Sequence, residues 1–149
     1  MDDGLRKSVE ARTWVINEAV GLFRRKRLPI VFVYHTDREK GPEPDAKEFE
    51  FSTRINIREQ DVKVVENYSN TFSRTELEEI LRKDGCDTVM IAGLSATECI
   101  LATYIGAMDR NFSPYLVRDG GASHREDYVR FVEEICDNLS VRALHQMLS

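Results

Sequence analysis

The sequence predicts a three-layer α/β fold, in which a mainly parallel sheet carries helices on both faces. Three short runs of β-branched and aromatic residues, at 30–34, 88–92 and 114–117, have the length and unbroken apolarity of buried strands. Segments with helical spacing of apolar residues alternate with these runs, and such alternation is typical of a parallel sheet. The ligand site of such a sheet lies beyond the carboxyl ends of its strands.

In the first half of the chain, a helix is predicted from about residue 5 to residue 27. Apolar side chains recur there every three or four positions, and Pro29 follows. The charged segment 35–60 is expected to be a long loop with a short helical turn. Residues 62–65 are expected to form a second, shorter strand.

The middle of the chain contains two further helices. A capping box at 73–76 should open a helix at 77–81, which Gly85 ends. Gly93 should break the strand that precedes it, and a helix should follow from about residue 97 to residue 109.

Near the C-terminus, the strand at 114–117 should end at Asp119-Gly120-Gly121. Ser123 should cap a helix that reaches Cys136, because valine and isoleucine recur there at helical spacing. A short last helix is expected around residues 144–148.

Length, composition and charge exclude several classes of protein. A chain of 149 residues suits a single core, so residues 1–149 are expected to form one domain. The net charge of −5 provides no electrostatic footprint for nucleic acid or for an anionic membrane. The cationic run at 24–27 lies where the first helix should end, so the helix dipole explains it. No apolar stretch reaches the ~20 residues that span a bilayer.

The cysteines and the first residues indicate the compartment. Cys86, Cys99 and Cys136 form an odd, widely spaced set, which argues against a disulfide framework and against a zinc site. The first residues are acidic and polar, unlike a secretory signal. We therefore expect a cytoplasmic protein without a metal or another cofactor, in which Cys86 and Cys136 are packing residues.

The loop after the third predicted strand carries the clearest chemical signal, because Cys99 lies at a strand-to-helix junction. Backbone N–H groups and the helix dipole at such a junction favour the thiolate and can form an oxyanion hole. A small cysteine packed in the core is the alternative explanation of the same position.

Two sequence blocks resemble those of a known family. Residues 93–103 (GLSATECILAT) are similar to its pattern of a strand, Gly, small residues, an acidic or polar residue, Cys and an aliphatic, with Thr four residues after the Cys. Residues 67–77 (NYSNTFSRTEL) resemble its Tyr-x-Asn-x-Phe-x-x-Thr-x-Leu block, and the two blocks occur in the family's order. On these motifs the chain is identified as a member of the isochorismatase-like cysteine hydrolases.

The resemblance implies a Rossmann-like fold, a small-molecule ligand or substrate, and a homo-oligomer. In the family a Cys attacks a carbonyl carbon or a similar centre, an Asp acts as base and a Lys supports both. Typical members hydrolyse amides such as nicotinamide or N-carbamoyl compounds, whereas isochorismatase cleaves a vinyl ether. Cys99 matches the nucleophile, and a non-proline cis peptide that often precedes it in the family would match the bond between Leu94 and Ser95. The ligand-binding residues expected from the resemblance are Leu94, Ser95, Thr97, His35 and Phe72.

Two departures from the family pattern bear on activity. Glu66 occupies the position of the Lys, and Lys63 lies three residues away along a strand, which directs it to the opposite face. The family's first strand, which ends in Asp-x-Gln, has no counterpart before the first helix. We therefore expect the strand at 30–34 to pair directly with the strand at 88–92, or another chain or segment to fill the gap.

Other side chains are weaker candidates for the site. Asp37 and Asp119 could stand in for the missing base, although loop or turn positions explain both. His35 has no second His nearby, which argues against a metal site at the end of the first strand.

Three functional hypotheses remain open. The first is an active cysteine hydrolase whose missing strand and Asp are encoded upstream of Met1. The second is an impaired member that binds a small molecule or serves as an oligomer subunit without turnover. The third is an enzyme with altered chemistry that uses Glu66 as its carboxylate base. The absence of the family Asp and Lys favours impaired activity.

Overall fold

The computed structural model describes residues 3–35, 54–94, 96–123 and 125–149. Its helices are α1 (Asp3–Arg25), α2 (Leu77–Lys83), α3 (Leu101–Asp109), α4 (Glu126–Ile135) and α5 (Val141–Met147). Its strands are β1 (Val31–His35), β2 (Val62–Glu66), β3 (Thr88–Leu94), β4 (Ser113–Ala122) and β5 (Asn138–Leu139), and a π-helical turn at Ala96–Ile100 precedes α3. The strands pair in parallel and helices lie between them in the sequence, which confirms the predicted α/β class. No helix within these ranges is long and apolar enough to cross a membrane.

The smaller sheet consists of β1 and β2, which pair from Val31 opposite Val62 to His35 opposite Glu66. Helix α1, which also contacts β4, packs against Phe32 of β1 and the segments before β1 and β2 through a cluster of apolar side chains: Ile16, Val20, Ile30, Phe32, Ile55 and Ile57. The side chain of Asn17 on α1 also accepts the N–H of residue 56 and donates to the carbonyl of residue 54. These contacts hold residues 54–56, in the segment that leads into β2, against α1.

The larger sheet has the order β3–β4–β5 and contains the main core. Buried side chains from β4, α3, α4 and the π-helical turn pack together: Ile100, Tyr104, Leu116, Val129, Val132 and Cys136. The hydroxyl of Tyr104 accepts the N–H of Asp137 at 3.0 Å, which ties α3 to the chain that enters β5. The predicted packing role of Cys136 is confirmed.

Two predicted strand ends are wrong, because β3 and β4 continue past the residues expected to stop them. β3 runs through Gly93, which has φ = 135°, and β4 runs through Asp119, which has φ = 63°. The pairing shifts register after Ile91, and Gly93 then lies opposite Gly121. Glycine adopts positive φ without steric cost and aspartate tolerates it better than most residues, so the chain bends here without leaving the sheet.

The capping box predicted for α2 is also wrong. Arg74 has φ = 54°, so a turn separates Ser73 from the helix, and Glu76 is the residue that precedes the first helical turn. The hydroxyl of Thr75 accepts the N–H of Leu77 at 3.3 Å instead.

The remaining helix ends agree with the sequence in part. Gly85 follows the end of α2 with φ = 74°, as predicted. Helix α4 begins after Arg125 without a side-chain cap, so the cap predicted at Ser123 is wrong, and that serine is fully buried. Ser140 caps the last helix by accepting the N–H of Ala143 at 3.1 Å.

The single sheet expected from the sequence is divided into two in the described part of the chain. β1 pairs with β2 and β3 pairs with β4, so the predicted direct pairing of β1 with β3 is wrong for these residues. Side chains join the two sheets instead, because Val31 of β1 and Val89 of β3 pack against the same cluster. That cluster consists of Phe72, Leu77, Leu81, Ala107 and Phe112. Filling of the gap by another segment or chain stays a prediction.

Candidate active site

Two residues singled out in the sequence lie side by side at the carboxyl end of the smaller sheet. Glu66 ends β2 and His35 ends β1, and their Cα atoms are partners in the register. Glu66 is only 2% exposed, and Val64, two residues earlier on the same face, is fully buried. A buried carboxyl group at the ligand-binding edge of a parallel sheet is a candidate for proton transfer.

Lys63 lies on the opposite face of β2, as predicted from its offset. Its ammonium group donates to the carbonyl oxygens of Arg58, Glu59 and Asp61 at 2.9–3.0 Å. These bonds use the three donors of the ammonium group. Lys63 therefore closes the turn before β2 and is not a substitute for the family lysine.

Cys99 lies in the π-helical turn that follows β3, and its side chain is half-buried. Such turns are rare in proteins, and a large share of them are found at functional sites. Thr97 is half-buried in the same turn, and Leu94 is the last residue of β3. Ser95, and with it the predicted cis peptide bond, lies outside the described residues. The predicted strand-to-helix junction is confirmed, with a π turn where an α-helical turn was expected.

The loop that follows Glu66 is hydrogen-bonded to the helix that follows Cys99. The backbone N–H and the hydroxyl of Thr71 both donate to the hydroxyl oxygen of Thr103 at 3.1 Å. The Thr103 hydroxyl in turn donates to the carbonyl of Ser69 at 3.4 Å. Thr71 and Thr103 are buried, so water competes little for these bonds.

A glycine on α3 makes room for the same loop. A Cβ atom on Gly106 would lie 2.5 Å from Nδ2 and 2.6 Å from Cγ of Asn70, which is closer than real contacts allow. The side-chain oxygen of Asn70 accepts the N–H of Phe72 at 3.0 Å, and its carbonyl accepts the N–H of Ser73 at 3.0 Å. Asn70 is therefore held in a tight turn with its side chain against the glycine.

Thr103 and Gly106 are three residues apart, so they share one face of α3, and both contact the loop 69–72. Cys99 lies four residues before Thr103, in the π-helical turn from which α3 continues. The two sequence blocks of the family resemblance thus meet in space. Asn70 and Thr103 belong to the two sequence blocks, but nothing in their local sequence indicated which residues they contact.

Phe72, predicted to bind ligand, lies in the core. It is 4% exposed, and its ring stacks on Phe112 with centroids 5.7 Å apart. The guanidinium carbon of Arg110 lies over the Phe72 ring, 5.2 Å from its centroid. Packing explains this position, and a ligand contact at Phe72 stays a prediction.

Asp119, another acidic candidate, is engaged in contacts of its own. The carboxylate of Asp119 lies 3.6 Å from the guanidinium of Arg12, and its N–H donates to the Glu133 carboxylate at 2.7 Å. Asp37 lies outside the described residues. Within the described ranges, no group of three His, Cys, Asp or Glu side chains is placed to hold a metal ion.

The two other cysteines are held as thiols by their surroundings. Burial raises the pKa of the Cys136 thiol and of the Cys86 thiol, and neighbouring aspartates add to the effect in both cases. Cys86 packs beside the cluster that joins the two sheets, and Cys136 packs in the main core. Neither has the electropositive surroundings of a nucleophile, which leaves Cys99 as the candidate.

Comparison with known proteins identifies the family of this chain. The isochorismatase domain model matches residues 7–136. The uncharacterized isochorismatase family protein YrdC of Bacillus subtilis is 24% identical over 147 residues, which are 95% of this chain and 78% of YrdC. Maleamate amidohydrolase of Pseudomonas putida is 36% identical over 59 residues, 40% of this chain and 28% of the amidohydrolase. The crystal structure of an isochorismatase-like hydrolase from Alkaliphilus metalliredigens matches with a TM-score of 0.82 at 18% identity, over 94% of this chain and 85% of that one. This chain therefore belongs to the isochorismatase family.

Proposed function

We propose that this chain is a cysteine hydrolase of small amide-type substrates with Cys99 as its nucleophile, and that its turnover is low because Glu66 occupies the position of the family lysine. The docking of the loop after Glu66 on the helix after Cys99 carries the proposal, because it joins the elements on which these residues lie. The family match supports hydrolase chemistry. The local likeness to maleamate amidohydrolase supports an amide as the substrate class.

In the proposed reaction, the sulfur of Cys99 attacks the carbonyl carbon of the amide. The carbon–nitrogen bond breaks, the amine leaves with the proton of the thiol, and a thioester remains. Water then attacks the thioester, which releases the carboxylic acid and restores the thiol. Backbone N–H groups at the start of the π-helical turn would stabilise the oxyanion in both steps.

Glu66 opposes the first of these steps. A carboxylate near a thiol disfavours the thiolate by like-charge repulsion, whereas a cation at the same position would favour it. Two unit charges ~5 Å apart at an effective dielectric constant of ~20 interact by roughly 3 kcal/mol, against ~0.3–1 kcal/mol for a typical helix terminus. On these magnitudes the proposed repulsion by a Glu66 carboxylate outweighs the helix terminus, and the attack by Cys99 is slowed.

The activity test measures turnover of nicotinamide, maleamate, N-carbamoyl amino acids and isochorismate at neutral pH. We expect less than ~1 turnover per second, the lower end of the ordinary enzyme range. Cys99→Ala should abolish it, and Cys86→Ala, at a second half-buried cysteine, should retain it. Turnover well inside the ordinary range contradicts the impairment, and turnover that survives Cys99→Ala removes Cys99 as the nucleophile.

A charge reversal tests the proposed role of Glu66. Glu66→Lys should speed the alkylation of Cys99 by iodoacetamide at neutral pH and shift the pH profile of alkylation downward by more than about one unit. Mass spectrometry of the Cys99 peptide measures the rate. An unmoved profile would mean that Glu66 does not face the thiol.

The burial of Glu66 supports a second candidate, in which this carboxyl group is the base. A carboxyl group positioned beside a thiol can act as a general base. Glu66 would then accept the thiol proton and deliver it to the leaving amine. Glu66→Gln distinguishes the two candidates: it should lower turnover by at least ~10²-fold if Glu66 is the base, and should not lower it if Glu66 only repels the thiolate.

The family resemblance also supports a homo-oligomer that binds a small molecule. Light scattering at the protein concentration of the assay tests this part of the proposal. A mass equal to that of one 17.2 kDa chain would contradict it.

A further inference from the structure

The contact between the loop 69–72 and α3 is polar and buried. The hydroxyl of Thr103 bonds with three groups of the loop, namely the N–H and the hydroxyl of Thr71 and the carbonyl of Ser69. One turn further along the helix, the side chain of Asn70 lies against Gly106. Hydrogen bonds are directional, so these contacts determine the position of the loop along the helix more narrowly than apolar packing would.

The chain on both sides of this contact is short. Ser69 is three residues beyond Glu66, a stretch that reaches at most ~10 Å when fully extended. Thr103 is four residues beyond Cys99, about one turn of helix. A shift of the loop along α3 therefore moves the end of β2, which carries Glu66, relative to the turn that carries Cys99.

We infer that Thr103 and Asn70 are positioning residues, which hold the loop on α3 and thereby set how closely the Glu66 carboxyl approaches the Cys99 thiol. The inference rests on the proposed function, because it assumes that Glu66 lowers the reactivity of Cys99. It extends that function to residues of the loop and of α3 outside the proposed pair of Glu66 and Cys99. Loosening the contact should therefore make Cys99 more reactive.

Three variants change the contact in different ways. Thr103→Val keeps the size of the side chain and removes its hydrogen bonds, whereas Thr103→Ser keeps the hydroxyl. Gly106→Ala adds the Cβ for which Asn70 leaves no space, and so displaces the loop while Thr103 is intact. Gly21→Ala is the matched glycine control, because its Cβ would lie 3.3 Å from the flexible end of the Arg25 side chain.

The readout is the rate at which iodoacetamide alkylates Cys99 at neutral pH, measured on its peptide by mass spectrometry. Thr103→Val and Gly106→Ala should each raise this rate roughly threefold or more, because a like charge moves away from the thiol. Thr103→Ser and Gly21→Ala should keep the wild-type rate. Cys136, buried in the main core, reports on general opening of the fold, so a parallel rise at Cys136 overturns the inference, as does an unchanged rate at Cys99.

Glu66→Gln separates this inference from the proposed function. If Glu66→Gln raises the Cys99 rate and Thr103→Val adds nothing in that background, Thr103 acts through Glu66, as inferred. If Glu66→Gln is silent, the proposed role of Glu66 fails and the inference fails with it. If Glu66→Gln acts while Thr103→Val has no effect, or an equal effect in both backgrounds, the inference alone is overturned.

Discussion

Strand β4 of the larger sheet and strand β2 of the smaller sheet differ in how completely their surroundings cover them. Around the larger sheet, Val132 is 1% exposed and Leu116 is 4% exposed, and β4 has a partner strand on each side. In the smaller sheet, β2 buries Val64 completely but leaves Val62 44% and Val65 57% exposed. Parallel sheets are normally covered on both faces. In the part of the chain that the structure describes, the smaller sheet is therefore only half covered.

The candidate site spans this difference. Cys99 is adjacent to Ile100, which belongs to the main core, whereas Glu66 ends a strand of the half-covered sheet. The proposed nucleophile is thus joined to dense apolar packing. The position of Glu66, by our inference, depends on a few polar contacts made by the loop 69–72. Apolar packing and polar contacts respond differently to substitution.

The largest effect is expected from one kind of substitution, valine to alanine, made on α4 beside the larger sheet and on β2 of the smaller sheet. Val132→Ala should lower the free energy of unfolding by about 2 kcal/mol, because burying a valine is worth ~1.5–3 kcal/mol and a cavity remains. Val65→Ala should change it by less than ~0.5 kcal/mol. Urea denaturation followed by circular dichroism measures both, and equal losses would mean that the smaller sheet is covered as well as the larger.

An intermediate effect is expected from the ion pair that holds α1 to the smaller sheet. The guanidinium of Arg24 contacts the carboxylate of Asp61, and the two side chains are 16% and 11% exposed, respectively. The Asp61 carboxylate also accepts the N–H of Arg58 at 2.6 Å. Asp61→Asn should cost about 1–2 kcal/mol of unfolding free energy, because a poorly solvated charge loses its partner.

The matched control for this pair is Glu10→Gln. The Glu10 carboxylate is 59% exposed and lies 3.6 Å from Arg54, so its loss should cost less than ~0.5 kcal/mol. The same urea titration applies. If the two substitutions cost the same, the smaller sheet does not depend on the buried pair.

The smallest effect concerns pH and the larger sheet. Burial raises the pKa of Glu133 above its ordinary value of 4.5, although the N–H of Asp119 opposes the shift. Because the folded state binds this proton more tightly than the unfolded state, the group's contribution to stability is present below pH ~4.5 and is lost as the pH rises through the folded pKa.

Glu133→Gln should remove that loss, since the amide oxygen still accepts the Asp119 N–H. The unfolding free energy of the variant, relative to the wild type, should therefore rise between about pH 4 and pH 7. The rise should stay well below ~1 kcal/mol, because the side chain is partly exposed and solvent screens its charge. Urea titrations at the two pH values measure it, and a relative stability that falls over this range would contradict the assignment.

The sequence by itself determined the features that depend on near neighbours in the chain. The alternation of strands and helices, the long helix α1, the end of α2 at Gly85 and the strand-to-helix junction at Cys99 all agree with it. Such features follow from the period of apolar side chains and from the backbone preferences of glycine, which act over a few residues. The opposite facing of Lys63 and Glu66 followed from the same local rule.

Only the tertiary structure decided how these elements meet. It divided the strands into two sheets, and it carried β3 and β4 past Gly93 and Asp119, because strand partners supply hydrogen bonds that local propensity does not register. It also paired Thr71 with Thr103 across 32 residues of chain. A hydroxyl has the same local signature whether it faces water or a distant loop, so the link between the two halves of the site could be found only in the folded molecule.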